Sequence, residues 1–222
     1  MRALVVAAGV PPARAALDRA WPGWADGVGL VIAADAGATT ADMLGLRPDL
    51  AVGDFDSIAP DELDRLRAAG IPVEVAPIAK DESDTELAVR AALDRGADAL
   101  TIVGGLGGRP DHLVANIALL ALPDLAGLEA VLLDGSTRVR MVRPGPGHEL
   151  AGRVSDLVSL IPFGPGVDGV TTEGLAWPLD DEALPVGPAR GLSNVRVAAV
   201  ARVSIRSGIL VVIETVSPAA DL

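Results

Sequence analysis

Along the first 138 residues, short apolar runs alternate with segments of helical spacing. The runs ALVVAAG (3–9), LVIAAD (30–35), LAVGD (50–54), VEVAP (73–77), LTIVGG (100–105) and AVLLD (130–134) read as strands. Segments 12–20, 38–45, 60–69, 84–95 and 111–121 between them read as helices, and Gly70 or Gly96 stands where two of them should stop. Strands rich in Val, Ile and Leu that trade places with helices predict a mainly parallel sheet covered on both faces. Beyond Arg143 the pattern changes. RPGPGHEL is a Pro/Gly-rich joint, and the runs DLVSLIPF, VDGVTTEGL, NVRVAAVARVSI and ILVVIE follow, punctuated by turn residues with no amphipathic helix among them. This predicts a small all-β sandwich. The expected organisation is an α/β domain over 1–138 and a β-sandwich domain over 139–222.

Composition narrows the chemistry. Half of the 222 residues are hydrophobic, yet no uninterrupted apolar run approaches the ~18 residues of a membrane span. The N-terminal MRALVVAAG has too short an apolar core for a signal peptide and reads as a first buried strand, so a cytoplasmic protein is expected. Cysteine is absent, which excludes disulfides, thiolate metal sites and Cys nucleophiles. The formal charge of −12, with no basic run, argues against nucleic-acid binding. A polyanionic ligand would need a local device such as a metal ion.

Acidic residues cluster just after the strands: Asp35 after LVIAA, Asp54 and Asp56 after LAV, Asp81 and Asp84 after VEVAPIA. In a parallel sheet the strand C-termini open on one edge, where ligands bind. Carboxylates gathered there repel one another, and a hard cation such as Mg²⁺, which takes oxygen ligands and keeps phosphate oxygens in its shell, relieves that repulsion. The plainer alternative is that Asp follows strands because it favours turns. In KDESDTELA, Ser83 with Glu86 forms a capping box, and Asp84 complements the helix dipole. Lys80, the single lysine against 17 arginines, needs another reason: an ammonium there could offset carboxylates or touch a phosphate.

IVGGLGGRPDH (102–112) runs a strand through four glycines into an arginine and a helix. Glycines let backbone N–H groups approach phosphate oxygens, the helix N-terminus favours anions, and Arg109 adds a bidentate fork. His112 and Asn116, four apart, can face the same site. An ordinary tight βα-turn with a surface arginine is the competing account. GPGVDG (164–169) has dinucleotide-loop spacing but no helix after it, and no Walker A loop or G-x-S-x-G elbow exists. Trp177, taken alone, reads as core packing. Ser193 and Asn194 offer donors and acceptors side by side.

Taken together, AADAGATTADMLGLRPDLAVGDFDSI, KDESDTELA, GGLGGRPDHLVANIALL, VSLIPFG, VTTEGLAWPL and GLSN resemble, in order and spacing, the thiamine pyrophosphokinase family. The resemblance implies a nucleotide-binding α/β domain followed by a β-sandwich, a homodimer with its thiamine site at the subunit interface, and transfer of a diphosphoryl group from ATP to the thiamine hydroxyl. It also implies Asp54, Asp56 and Asp84 as catalytic Mg²⁺ ligands. ATP contacts would come from Asp35, Ser57, Lys80, Asp81, Thr85, Gly107, Gly108, Arg109, Asp111, His112 and Asn116. Trp177, Ser193 and Asn194 become thiamine contacts, the indole stacking on the flat, cationic vitamin. Ala36 stands where the family commonly has Gly, and Ser83 where Thr is usual. A phosphatase whose aspartate is the nucleophile, a pterin-alcohol diphosphokinase and a non-catalytic sensor are the competing readings.

Overall fold

The computed structural model describes residues 1–56 and 58–217 and divides into two compact units, Met1–Gly135 and Ser136–Leu222. The first holds six strands, β1 (Arg2–Val6), β2 (Val28–Ala34), β3 (Leu50–Gly53), β4 (Val73–Val75), β5 (Ala99–Val103) and β6 (Glu129–Asp134). All pair in parallel, in the order β4-β3-β2-β1-β5-β6. Helices α1 (Arg14–Ala20), α2 (Gly37–Met43), α3 (Pro60–Ala68), α4 (Asp84–Asp94) and α5 (Pro110–Leu119) connect them. β1 is the central strand, and its Ala3, Leu4, Val5 and Val6 are fully buried. That explains its unbroken apolar run: a strand covered by helices on both faces has no polar side to show. Each buried Val or Leu contributes about 1.5–3 kcal/mol.

The chain builds outward from β1 to β4 and then restarts on the other side of β1 with β5. The order therefore switches between β1 and β5, and the loops at their carboxyl ends diverge to leave a crevice. α4 packs across β1, β2 and β3. Its first residue, Asp84, thereby lies at the edge where those strands end.

The second unit is all β among its described residues: β7 (Thr137–Val142), β8 (His148–Ala151), β9 (Leu157–Glu173), β10 (Glu182–Leu184), β11 (Asn194–Val195), β12 (Val200–Ser204) and β13 (Ser207–Thr215). β13 runs antiparallel between β7 and the first part of β9, while β12 pairs with β8 and the last residues of β9. The long β9 thus belongs to both layers of a sandwich, whose core includes Val142, Leu150, Leu160, Val170, Val203 and Leu210. The sequence pattern splits β9 into two strands at Gly164–Pro165–Gly166, and the structure corrects this. The register slips between Ser207 and Ile209 of β13 opposite that stretch, so the chain bulges and bends without leaving the sheet. Gly164 and Gly166 supply the positive φ of 85° and 131° that the bend requires. Conversely, NVRVAAVARVSI forms two strands, not one, and β7, β8 and β10 are strands that the pattern does not single out.

Candidate active site

The crevice of the first unit, with a volume of about 830 Å³, opens at the carboxyl ends of the strands. Asp35, directly after β2, is 4% exposed and adopts φ 48°; its N–H donates to Val52 O at 2.9 Å. Ala36 beside it has φ −61° and ψ −2°, a conformation any residue adopts, so the departure from Gly costs nothing in the backbone. Asp54 and Asp56 follow β3, and Phe55 between them is also left-handed, at φ 57°. Phe55 is 9% exposed and packs with Ala33, Ala38, Leu66 and Ile71. An inward aromatic anchor thus leaves both neighbouring carboxylates on the crevice. Left-handed backbone at two such residues costs about 1–3 kcal/mol each and is typical of strain held at a functional site.

Lys80 reaches into this acidic edge. Its Nζ lies 2.5 Å from Asp54 Oδ2 and 3.1 Å from Asp84 Oδ1, with its side chain only 10% exposed. The hydrogen bond from Lys80, opposed by burial, holds the Asp54 carboxyl below the usual carboxylate range. Burial pushes the Lys80 ammonium down, and its bonds to Asp54 and Asp84 outweigh that, leaving it above the ordinary lysine value. The helix that carries Asp84 is capped by Ser83, whose Oγ accepts from the Glu86 N–H at 3.1 Å. The return half of the expected capping box is not made, because the Glu86 carboxylate takes a fork from Arg90 one turn on.

Opposite the carboxylates stands the glycine loop after β5. Gly107 packs on Val10: a Cβ there would sit 2.7 Å from Val10 Cβ, so only glycine closes this wall. Asn116, 7% exposed, donates its amide to Gly105 O at 2.9 Å and fixes the loop from below. Gly107, Gly108, Arg109, His112, Asn116 and Thr85 all line the crevice. The Arg109 guanidinium is 73% exposed and forks onto Asp111, at 2.6 Å for the shorter bond, which lowers the Asp111 carboxyl and raises Arg109. Asp81 and Asp111 are exposed and do not line the crevice, and Ser57 lies outside the described residues.

Sequence reasoning passed over four lining segments: Ala7–Pro11 after β1, Ala34, Ile78 and Glu82. Small and aliphatic residues carry no chemical signal, and Glu82 is one acid in the KDESD run with nothing in its local pattern to set it apart from Asp81. The recoverable sign was Gly9–Val10–Pro11 directly after the first strand.

Among the described residues, five lining carboxylates (Asp35, Asp54, Asp56, Glu82, Asp84) face two cations (Lys80, Arg109), an excess of three negative charges. Among the described residues no three acidic or imidazole side chains already form a metal cage. Asp54 and Asp84 nevertheless share one cation between two carboxylate oxygens, a donor set suited to a hard divalent ion that draws its other ligands from phosphate and water.

In the second unit, Trp177 is 57% exposed, and Asn194, 6% exposed, is bonded to its backbone. Ser193, at φ 56°, donates its N–H to Ser159 Oγ at 3.0 Å. Exposed Leu192 precedes it. The indole is therefore not core packing.

A parallel α/β unit with carboxylates, a glycine loop and an arginine at its switch point, followed in the chain by a β-sandwich unit, defines a two-unit protein of the phosphate-handling α/β class. Residues 24–132 match the family model described as "Thiamin pyrophosphokinase, catalytic domain", and residues 148–210 the one described as "Thiamin pyrophosphokinase, vitamin B1 binding domain". The thiamine pyrophosphokinase of Bacillus subtilis (strain 168) is 31% identical over 193 residues, 87% of this chain and 90% of that one. A crystal structure of thiamine pyrophosphokinase from Bacillus subtilis superimposes with a TM-score of 0.83 at 29% identity, over 98% of this chain and all of that one. Yeast thiamin pyrophosphokinase, at 15% identity and a TM-score of 0.78 over 97% of this chain and 86% of that one, shares the fold. The chain belongs to the thiamine pyrophosphokinase family.

Proposed function

We propose that the chain is a thiamine diphosphokinase, moving the β,γ-diphosphoryl group of ATP onto the thiamine hydroxyl and releasing AMP. The observation that carries this reading is the Asp54–Asp84 pair sharing one cation, across the crevice from the Gly107–Gly108–Arg109 loop. A triphosphate entering an acidic crevice must bring compensating charge, and Asp54, Asp56 and Asp84 would hold Mg²⁺ for it. When bound, that ion neutralises phosphate oxygens as charge builds on the leaving AMP.

The chain's own residues do the rest. The N–H groups of Gly107 and Gly108 and the α5 N-terminus take phosphate oxygens. Arg109 leaves Asp111 for a phosphate, a bidentate exchange its exposed fork permits. Asp35, Lys80, Thr85, His112 and Asn116 complete the ATP side. The thiamine oxygen attacks the β-phosphorus as the bond to the α-phosphate oxygen breaks, and the hydroxyl proton leaves to a lining carboxylate or water. Positioning and electrostatics carry most of such a transfer. Trp177 stacks on the cationic vitamin, with Ser193 and Asn194 beside it. Exposed Trp177 and Leu192 favour a homodimer whose subunit interface completes the thiamine site. ATP as co-substrate favours the cytoplasm.

Incubation with Mg·ATP and thiamine, followed by assay of AMP and thiamine diphosphate, tests the reading. Stoichiometric AMP and thiamine diphosphate support it. Binding of both ligands without AMP would make the chain a sensor, and phosphate release from simple monoesters without thiamine would make it a phosphatase.

A further inference from the structure

Lys80 is the single lysine in a chain with 17 arginines, and it sits on the two carboxylates that metal binding requires. An ammonium and a divalent cation cannot both occupy the space between Asp54 and Asp84, since like charges so close repel strongly. An arginine in that buried place would form a planar, pre-organised fork on a carboxylate and, unlike the exposed Arg109, would resist exchange. Lysine is a compact point charge on a flexible four-carbon stem, suited to moving. Its backbone lies in the segment between β4 and α4, so its head can swing while Asp84 stays on its capped helix.

We infer that Lys80 is a placeholder cation: it keeps Asp54 and Asp84 together in the empty enzyme, yields them to the incoming divalent ion, and carries its released charge to the phosphates. The repulsion between these two carboxylates is thus offset by one shared ammonium until the divalent ion takes its place. The inference rests on the proposed kinase reading, but its test does not use turnover.

The test is Mn²⁺ binding without nucleotide, measured by electron paramagnetic resonance on the full chain. Lys80→Met should bind Mn²⁺ at least about fivefold more tightly than the wild type, because no ammonium must be displaced. Lys80→Arg should bind it more weakly. Equal or weaker Mn²⁺ binding by Lys80→Met overturns the inference. Should Lys80→Met fail to fold by circular dichroism, the wild type decides. Lys80 and the Met1 amine are its only primary amines, so acylation followed by peptide mass spectrometry gives Lys80 reactivity with Met1 as internal reference. Saturating Mn²⁺ should raise the Lys80 rate severalfold; an unchanged ratio overturns the inference. Failure to produce AMP from Mg·ATP and thiamine would remove the kinase reading alone, since neither Mn²⁺ readout depends on it.

Discussion

Asn194 holds Trp177 by both ends of one peptide pair. Its Oδ1 accepts the Trp177 N–H at 3.0 Å, and its amide donates to the Trp177 carbonyl at 2.6 Å. The same Oδ1 also accepts from the Val195 N–H at 2.9 Å. The exposed indole is thus presented by a buried amide that reproduces a strand-like pairing. Asn194→Ala leaves those backbone groups without partners, at about 1–3 kcal/mol for each buried one. We expect a raised KM for thiamine, an unchanged KM for ATP and a lowered melting temperature. Asn194→Asp should be worse, because a carboxylate cannot donate to the Trp177 carbonyl. Steady-state kinetics with each substrate varied in turn, alongside thermal melts, checks this.

The acidic edge makes a sharper demand. Asp84→Ala and Asp56→Ala should each lower turnover about 100-fold or more while circular dichroism stays that of the wild type, since loss of one ligand steeply weakens metal binding. Asp84 sits in the first turn of a helix whose cap is Ser83, so the helix keeps its start without it. Near-normal AMP release by both variants would remove the carboxylates from the metal assignment.

Stability in the second unit should depend on Glu214. This residue, 2% exposed, receives Arg138 at 2.7 and 2.8 Å, Arg140 at 3.1 Å and the fully buried Arg196 at 3.0 Å. Glu214→Gln leaves the guanidiniums short of their central counter-charge and should cost about 3–5 kcal/mol in urea denaturation. The exposed Glu149–Arg202 pair offers the contrast: Glu149→Gln should cost less than about 1 kcal/mol.

A pH effect attaches to Asp134 at the end of β6. Burial pushes its carboxyl above the ordinary value of 3.8, so folding favours the protonated form. The unfolded chain releases this proton first as pH rises; stability is therefore lost from about the unfolded value up through the raised folded one, and the penalty persists at neutral pH. Asp134→Asn should melt higher than the wild type at pH 7, and the difference should vanish in acid below both values. Thermal melts from acid to neutral pH read this directly.

The alternation of strands and helices up to β6 was legible because it is local. A strand buried on both faces must be apolar throughout, as β1 is, and helices announce themselves by spacing and by stops such as Gly70 and Gly96. The carboxylates at strand ends were legible for the same reason, since parallel pairing brings every such end to one edge. Partner choice was not legible. The motif promises a capping box at Ser83–Glu86, but Arg90 wins the carboxylate by proximity along the helix face. Gly164–Pro165–Gly166 reads as a turn, and only pairing with β13 shows it to be a bulge within one strand.

Residue order alone therefore determined the alternating strands and helices of the first unit, and that Asp35, Asp54, Asp56 and Asp84 fall at element ends, because burial periodicity and turn chemistry act over a few neighbouring residues; in the second unit strand bounds were set by pairing across the sheets. Tertiary structure decided that Lys80 joins Asp54 to Asp84, that Phe55 turns inward between two aspartates, and that Asn194 supports Trp177. Each of these joins residues remote in the chain or depends on which side of a packed sheet faces the core, and a hydrogen bond or an ion pair is set by ångström distances that one-dimensional order does not contain.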